Sequence, residues 1–511
     1  MNKWFIILII FVFSMGLRIW NINQMGRTWD EAEYVEPGYR FIELIKKGDL
    51  NNDYFFTTYN HPPLAKYLYG ITAHLDTEKV LPNGNPVLRY DLTYSRMLSA
   101  ITSSLAIIVV VIIGWQFGTL FVGVISGLIL SMLPVFLGYS QLVTTESMVM
   151  LFFTLPVYIF FLLLQKYSLN KLLATGVLTG LALQIKQSNF MLVPLFIIMY
   201  FIWYFKAKHS RTKFINSRAA SIIYIVLISI VVFVLLWPML PFHAFEVFHI
   251  HQKLWNVKFT PKIWLITLSP PEVFFGRLML TPIFYYIVYL FITTPFLLLL
   301  FFFKGILIVF RKRDWSYYIL LAWFLVPFIL SVYSWRQHGV RYIIQIYAPL
   351  SILAAVGFDF IVSKFTKRDV FKFIYFLPVV IYLFIILFKI TPYYLDYFNL
   401  LVGGTSGVYT NRSFQIGWWG QGIREAGLYL EKSAPKRSKI GLALSPIHVM
   451  PPLINLDVSK YSEEEKYDFV IVNYYNVLRE RFNDYEIKKN YNPMYFVKAD
   501  GASLVTVYKH K

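Results

Sequence analysis

The sequence contains no cysteine, and this absence excludes several kinds of chemistry. A chain without thiols forms no disulfides, binds no zinc through cysteine and holds no cysteine-ligated iron–sulfur cluster. It also cannot use a thiolate as a nucleophile. Because a cysteine-free chain suits both oxidising and reducing surroundings, the absence does not identify the cellular compartment.

Charged residues are also scarce. They make up 15% of the 511 residues, whereas about 25% is usual for a soluble domain. Hydrophobic residues make up 57%, and the mean hydropathy is +0.55. This composition excludes an ordinary soluble enzyme and a disordered chain.

The net charge of +20 does not indicate a nucleic-acid partner. Lysine and arginine gather in short loops between apolar runs, which is the pattern of cytoplasmic loops in membrane proteins. We therefore expect membrane lipids around the chain and no nucleic acid bound to it.

Long apolar runs predict an all-α polytopic membrane domain with about eleven spans. The first run, Trp4–Trp20, is followed by no small-residue cleavage site, so we expect an uncleaved span. The other ten runs lie near 95–116, 118–138, 142–165, 171–186, 188–205, 218–240, 279–303, 315–334, 342–363 and 373–391.

The basic loops predict one orientation, with Lys3 in the cytoplasm and three longer segments outside: 21–94, 241–277 and 392–511. We expect a membrane domain over residues 1–391 and a small α/β domain over residues 392–511. In the small domain, the patterns predict a helix at Ile423–Lys432, strands at Ile440–Leu444 and Phe469–Asn473, and a hairpin that turns at 499–503.

The segment 21–94 contains ten of the 28 acidic residues, beginning with Asp30, Glu31 and Glu33. A helix is predicted from about Trp29 to Gly48, with Asp30 and Glu33 on one face. A carboxylate at the membrane boundary can deprotonate a hydroxyl or stabilise the oxocarbenium-like transition state of glycosyl transfer. The alternative interpretation is a solvated acidic face.

Several cations and one further acid are candidate binding residues. His61 and Lys66 flank the pair Pro62-Pro63, which can open a helix and fix their direction. Arg96 and Lys186 lie at the ends of predicted spans, where a cation usually has an anionic partner. A lipid-linked phosphate is the natural anion at this depth, whereas snorkelling to the interface is the alternative.

Glu146 is a carboxylate in an apolar stretch, on the same predicted side of the membrane as Asp30. Acids from two separate segments at one interface can form a site. The alternative is that Glu146 only stabilises the first turn of a helix.

The order of the motifs resembles glycosyltransferase family 39. Trp29-Asp30-Glu31-Ala32-Glu33-Tyr34, followed by His61-Pro62-Pro63-Leu64-Ala65-Lys66, is similar to the first outer loop of that family. The family includes the dolichyl-phosphate-mannose protein mannosyltransferases, and the aminoarabinose transferases of lipid A are close in architecture. All share the multi-span GT-C fold. Further similar stretches follow in order: Arg96–Ala100, Thr144–Ser147, Gly180–Lys186 and Arg341–Pro349.

Two departures from the family stand out. Glu146 occupies the place of a usual aspartate, and Trp418-Trp419-Gly420-Gln421-Gly422 replaces the usual Asp-Trp-Gly-Gln-Asp, so both acids are lost. These substitutions leave a non-catalytic relative open as an interpretation.

The resemblance implies an inverting transfer of a sugar from a polyprenyl phosphate to a protein or lipid acceptor at the outer face of the cell membrane. It implies that Asp30 is the catalytic base on an acceptor hydroxyl, with Glu31 and Glu146 as further acids. If the acceptor is a lipid phosphate instead, no strong base is required, and Asp30 would orient groups. The residues expected to bind substrate are His61, Lys66, Arg96, Lys186, Arg341 and Tyr342.

No cofactor is clearly required, although a divalent metal at Asp30, Glu33 and His61 stays open. The outer segment 241–277, with His243, His249 and His251, is expected to cover the site or to lie at the interface through its aromatic residues. The alternative functions are a transporter or flippase of lipid-linked sugars and an oligosaccharyltransferase subunit.

Overall fold

The computed structural model describes residues 3–56, 61–206, 215–238, 240, 243–245, 271–332 and 339–511. Its helices are α1 Lys3–Ile19, α2 Ala32–Lys46, α3 Leu64–Asp76, α4 Thr93–Phe117, α5 Leu120–Met132, α6 Pro134–Ser140, α7 Thr145–Gln165, α8 Leu169–Ile185, α9 Leu192–Lys206, α10 Ile215–Leu235, α11 Tyr285–Thr293, α12 Phe296–Lys312, α13 Trp315–Val332, α14 Tyr347–Val362, α15 Asp369–Ile390, α16 Gly404–Asn411, α17 Ile423–Ser433, α18 Tyr474–Leu478 and α19 Tyr485–Asn490. Its strands are β1 Thr77–Val80, β2 Pro86–Leu88, β3 Glu272–Phe274, β4 Arg277–Met279, β5 Lys439–Ala443, β6 Asp457–Lys460, β7 Phe469–Asn473, β8 Tyr491–Ala499 and β9 Ala502–His510.

Helices occupy all of the predicted apolar runs. By length and composition, six of the described helices can cross a membrane, or up to eight spans when each of two bent helix pairs counts as one. Three further predicted spans correspond to helices that are shorter than these. Helices α1 and α8 have 17 residues each, and the apolar part of α10 covers Ala220–Leu235. The multi-pass membrane architecture is confirmed, whereas the number eleven stays a prediction.

The second bent pair changes direction sharply. Helices α11 and α12 meet at 117° where Thr294 and Pro295 interrupt the helix. Such a break leaves carbonyl groups without helical partners. The side-chain amide of Asn399 donates to the carbonyls of Phe291 at 2.6 Å and Thr294 at 2.7 Å, so the segment after α15 satisfies the break.

Helices α2 and α3 pack as a hairpin in the segment 21–94. They cross at Gly38 and Gly70, where a Cβ on Gly38 would lie 2.3 Å from the carbonyl of Lys66, and one on Gly70 would lie 2.1 Å from the carbonyl of Gly38. The backbones can approach this closely only because neither residue has a side chain.

The predicted start of α2 is corrected by the structure. The helix begins at Ala32, and Asp30 and Glu31 lie in the turn that leads into it. Asp30 therefore does not share a helical face with Glu33, because the chain before Ala32 is not yet part of the helix.

The C-terminal α/β unit contains a five-stranded sheet in the order β6-β5-β7-β9-β8. Strand β5 pairs in parallel with β6 and β7, whereas β9 is antiparallel to β7 and β8. Asp500 and Gly501 both have positive φ at the β8–β9 turn, as a tight hairpin requires. The predicted helix, two strands and hairpin are all confirmed.

The segment 241–277 is described only in part. Residues 272–279 form the hairpin of β3 and β4, and Phe274 forms an isolated β-bridge with Phe414. His249 and His251 lie outside the described residues, so the cover over the site stays a prediction.

Candidate active site

Four elements that are far apart in the sequence meet at one cluster of charged side chains. Asp30 lies in the turn before α2, and Glu146 lies in the first turn of α7. Lys186 directly follows α8, and Arg341 begins a 3-10 turn. Three of these side chains lie at helix ends. Irregular backbone at those ends lets the side chains face a common point.

Arg341 joins the two acids. Its Nη1 donates to Oδ2 of Asp30 at 2.6 Å, and its Nε donates to Oε1 of Glu146 at 2.7 Å. Lys186 donates to the same Oε1 at 2.9 Å, and its ammonium lies 4.8 Å from the ring centre of Tyr342. The structure thus brings together five of the predicted site residues.

The two acids differ in exposure. The side chain of Asp30 is 27% exposed, whereas that of Glu146 is fully buried. One oxygen of Glu146, Oε2, has no hydrogen-bond partner among the described residues. Asp30 is therefore the acid that an incoming hydroxyl can reach, whereas Glu146 binds the two cations from the buried side of the cluster.

Glu31, although adjacent to Asp30, is part of a separate buried ion pair. Its two oxygens accept from Nε and Nη2 of Arg96 at 2.8 and 2.7 Å, and both side chains are fully buried. The backbone N–H groups of Thr28 and Val143 donate to Glu31 as well. Burial alone would raise the pKa of Glu31, but these charged and backbone donors outweigh it and hold the pKa below its usual value.

The structure therefore corrects the expected contact between Arg96 and a lipid phosphate. Each of the three guanidinium nitrogens donates to a protein acceptor, and the side chain has no exposed surface. The pair Glu31–Arg96 fixes the turn that carries Asp30 against α4 and the Val143 backbone. Both residues position the site and do not line it.

His61 and Lys66 lie beside this cluster. The His61 ring stacks on Tyr34 at 5.9 Å. Burial, together with the positive charges of Lys186, Arg341 and Lys66, holds the pKa of His61 well below its usual value, so the imidazole is neutral. Burial also lowers the pKa of Lys66 to about 7, although Glu33 opposes part of this shift.

Aromatic residues enclose the cluster, and the sequence analysis did not place them there. The guanidinium of Arg341 lies 4.8 Å from the ring centre of Trp419, and Trp419 meets Tyr139 edge to face at 5.7 Å. The segment that lost both acids of the family motif thus contributes a tryptophan to the site. The sequence feature that could have indicated this contribution is the pair Trp418-Trp419 beside Gly420.

The described residues contain no group of three or more histidine, aspartate or glutamate side chains that could hold a metal ion. Asp30, Glu33 and His61 do not form the metal site that the sequence left open. At Asp30 and Glu146, the cations Arg341 and Lys186 occupy the positions next to the carboxylate oxygens.

Comparisons with known proteins agree with this architecture. The family model described as dolichyl-phosphate-mannose-protein mannosyltransferase matches residues 8–256, a little under half of the chain. The structure of ArnT from Cupriavidus metallidurans bound to undecaprenyl phosphate superposes with a TM-score of 0.52 at 13% identity, covering 98% of this chain and 97% of that one. The chain has the GT-C fold.

The GT-C fold is also shared with ArnT in the apo state, which has a TM-score of 0.50 at 14% identity and covers 98% of this chain and 97% of that one. The Pmt1-Pmt2 complex of S. cerevisiae bound to the sugar donor matches 54% of this chain and 39% of its own, with a TM-score of 0.37 at 20% identity. No curated protein sequence matches the chain. The predicted resemblance to family 39 is confirmed, and the GT-C fold covers almost the whole chain.

Proposed function

We propose that this GT-C chain transfers a sugar from a polyprenyl phosphate to a protein or lipid acceptor at the outer face of the cell membrane. The matched family is named for a polyprenyl-phosphate sugar, and the ArnT structure has undecaprenyl phosphate bound. The observation that carries the proposal is the convergence of Asp30, Lys186 and Arg341 at one partly exposed cluster.

In this proposal, Lys186 and Arg341 bind the phosphate of the carrier. Arginine and lysine form short, charge-assisted hydrogen bonds to phosphate oxygens. The ring of Tyr342 lies against the Lys186 ammonium and helps to hold it in place. These two cations, rather than a divalent metal, neutralise the phosphate as it leaves.

Donor binding also prepares Asp30 as a base. In the structure, Nη1 of Arg341 is bound to Asp30. A phosphate oxygen competes for the same donor, so binding of the carrier releases the carboxylate to accept a proton. Glu146 keeps Arg341 and Lys186 in place through its Oε1 and acts as a positioning residue.

The reaction is a single displacement. The acceptor hydroxyl oxygen attacks the anomeric carbon, Asp30 takes the hydroxyl proton, and the bond between the anomeric carbon and the phosphate oxygen breaks. The electron pair of that bond leaves on the polyprenyl phosphate, where Lys186 and Arg341 stabilise it. One displacement inverts the configuration of the sugar.

Replacement of the exposed acid tests this function. Asp30→Asn keeps the shape of the side chain but cannot accept a proton, so we expect transfer to fall by about 10²- to 10⁴-fold. The assay uses purified protein, radiolabelled polyprenyl-phosphate sugars and membrane extract as the acceptor source. Glu36→Gln removes an exposed acid of α2 and is the matched control, which keeps wild-type turnover.

The label also identifies the acceptor class by its appearance in protein or in lipid. Wild-type turnover in Asp30→Asn would remove Asp30 from the base role. If wild-type protein moves the donor across liposomes without consuming it, the chain is a flippase and the transferase proposal is wrong.

A further inference from the structure

A cavity lies between the segment 21–94 and the C-terminal α/β unit. It has a volume of about 300 Å³. Trp29 forms one wall, and the loop after β5, the end of β6 and the chain after α18 form the others; the lining residues are Trp29, Leu444, Ser445, Pro446, Ile447, Lys460 and Arg481. Trp29 directly precedes Asp30, so the cavity wall and the proposed base are neighbours on the chain, with Cα atoms ~3.8 Å apart.

The cavity opens at the carboxyl ends of parallel strands. Ser445 follows β5 and Lys460 is the last residue of β6, and these two strands pair in parallel. In α/β sheets, ligands bind in the crevice outside this edge. Leu444 and Glu480 both have a φ of +55°, which is rare for a residue with a side chain, and each directly precedes a lining residue.

The polar groups of the cavity favour an anion. Ser445 is 3% exposed, and its Oγ has no hydrogen-bond partner in the part of the chain that the structure describes. Lys460 and Arg481 are exposed and form no ion pair with any described residue. A hydroxyl donor beside two such cations is a typical arrangement for phosphate or carboxylate recognition.

The apolar groups of the cavity favour a ring beside that anion. Trp29, Pro446 and Ile447 present flat or aliphatic surfaces, against which the C–H groups of a sugar ring can pack. The volume is of the size of a small-molecule pocket, which lies between about 300 and 1,000 Å³. A cavity of this volume is suited to one charged sugar unit and is too small to receive a folded protein.

We propose that this cavity binds a negatively charged sugar of the acceptor and presents one of its hydroxyl groups to Asp30. Trp29 and Pro446 contact the ring, while Ser445, Lys460 and Arg481 bind its phosphate or carboxylate. The inference rests on the proposed transfer reaction. It adds an acceptor class, and it gives the C-terminal unit a part in substrate binding.

Hydrogen bonds hold the loop after β5 against the segment that precedes Asp30. A ring nitrogen of His448 lies 3.3 Å from the carbonyl of Trp29. The hydroxyl of Tyr90 donates to the carbonyl of Val449 at 2.7 Å and accepts from the backbone N–H of Arg27 at 3.2 Å. Two neighbouring residues after β5, His448 and Val449, are thus connected by hydrogen bonds to the segment that leads to Asp30.

Direct binding is the first test, on the full-length purified protein. Ligand-observed NMR measures the affinity for glucose 6-phosphate, glucuronate and neutral glucose. We expect the two anions to bind and glucose not to bind, and the preference between the anions distinguishes a phosphate from a carboxylate. The double variant Lys460→Gln/Arg481→Gln should weaken anion binding at least tenfold.

Lys466→Gln is the matched control, because it removes one exposed lysine of the same unit that does not line the cavity. Equal binding of glucose, or unchanged anion binding in the double variant, would overturn the inference. Binding of an acidic peptide in preference to both charged sugars would overturn it as well and would assign the cavity to peptides.

Kinetics then separate this inference from the reaction itself. In the double variant, we expect the KM for the acceptor to rise at least tenfold while kcat and the KM for the lipid-linked donor stay unchanged. Glucose 6-phosphate should compete with the acceptor and not with the donor. If the double variant is active and its KM for the acceptor is normal, the acceptor site is wrong but the transfer reaction is not. If the wild-type protein consumes no donor, the proposed function is wrong, but the binding measured by NMR is unaffected.

Discussion

Two adjacent carboxylates, Asp30 and Glu31, have opposite surroundings. Asp30 is partly exposed and bonded to one nitrogen of Arg341, whereas Glu31 is sealed inside the protein with Arg96. A charge that is buried with its partner is costly to leave alone. The same substitution therefore has different consequences at the two positions.

Glu31→Gln should destabilise the protein, because it leaves the charge of Arg96 buried without compensation. We expect a loss of ~3–5 kcal/mol in the free energy of unfolding, as for other broken buried pairs. Denaturation in mixed micelles measures this loss. Asp30→Asn serves as the neighbouring control and should retain nearly all of its stability. Equal stability of the two variants would contradict a structural role for Glu31.

Lys66 makes stability depend on pH in an unusual direction. Burial lowers its pKa to about 7 in the folded protein, from 10.5 in the unfolded chain. Between these values the unfolded chain holds a proton that the folded protein has lost, so stability rises with pH. We expect the loss of this proton to raise the melting temperature of the wild type between pH 7 and 10.

Lys66→Met should remove that gain, since methionine fills similar space without titrating. Melting curves of both proteins are recorded at several pH values. The difference between their melting temperatures should become smaller as the pH rises. A difference that stays constant across this range would show that Lys66 keeps its proton in the folded protein.

At the scale of elements, the crossing of α2 and α3 sets the position of the proposed base. Gly38→Ala would place a methyl group 2.3 Å from the Lys66 carbonyl, so the helices must separate. We expect a loss of ~1–3 kcal/mol in stability, as for other overpacked sites, together with a fall in turnover. Thermal melting and the transfer assay measure the two effects.

Gly16→Ala is the control for this prediction. Gly16 lies in α1, and a Cβ there has no neighbour within 4 Å, so alanine should be neutral or slightly stabilising. If Gly38→Ala melts like Gly16→Ala, the close crossing of the two helices is not required.

Element positions were predicted well where the signal is local. Long apolar runs located the membrane helices, short apolar runs located β5 and β7, and turn residues located the β8–β9 hairpin. The start of α2 was missed, because the acids before Ala32 are compatible with helix or turn. The break at Thr294 was also missed, since its unpaired carbonyls are satisfied by Asn399, which lies more than a hundred residues further along the chain.

At the scale of the whole molecule, the C-terminal unit completes the membrane domain. Asn399 donates to the carbonyls at the break between α11 and α12, and Trp419 lies against Arg341 in the site. The sequence predicted that Asp30, Glu146, Lys186 and Arg341 are candidates. It could not predict that Glu31 pairs with Arg96 or that Trp419 reaches Arg341, because such pairings depend on the tertiary fold.

Asn399→Asp tests this connection. The carboxylate cannot donate to the carbonyls of Phe291 and Thr294, and an unsatisfied buried group costs about 1–3 kcal/mol. We expect a lower melting temperature for the intact protein, with easier proteolytic release of the C-terminal unit. Asn411→Asp, at an exposed residue at the end of α16, should behave as wild type. Identical protease sensitivity of the two variants would contradict the role of Asn399.

The bridge that Arg341 makes between two acids has a consequence for the reaction cycle. Asp30 and Glu146 carry two negative charges, and Lys186 and Arg341 carry two positive ones, so the empty cluster is electrically neutral. A sugar-loaded carrier brings one negative charge, whereas the spent carrier has a phosphate with up to two. Under the proposed reaction, we therefore expect the cations to hold the product more firmly than the substrate, so that departure of the spent lipid limits each turnover.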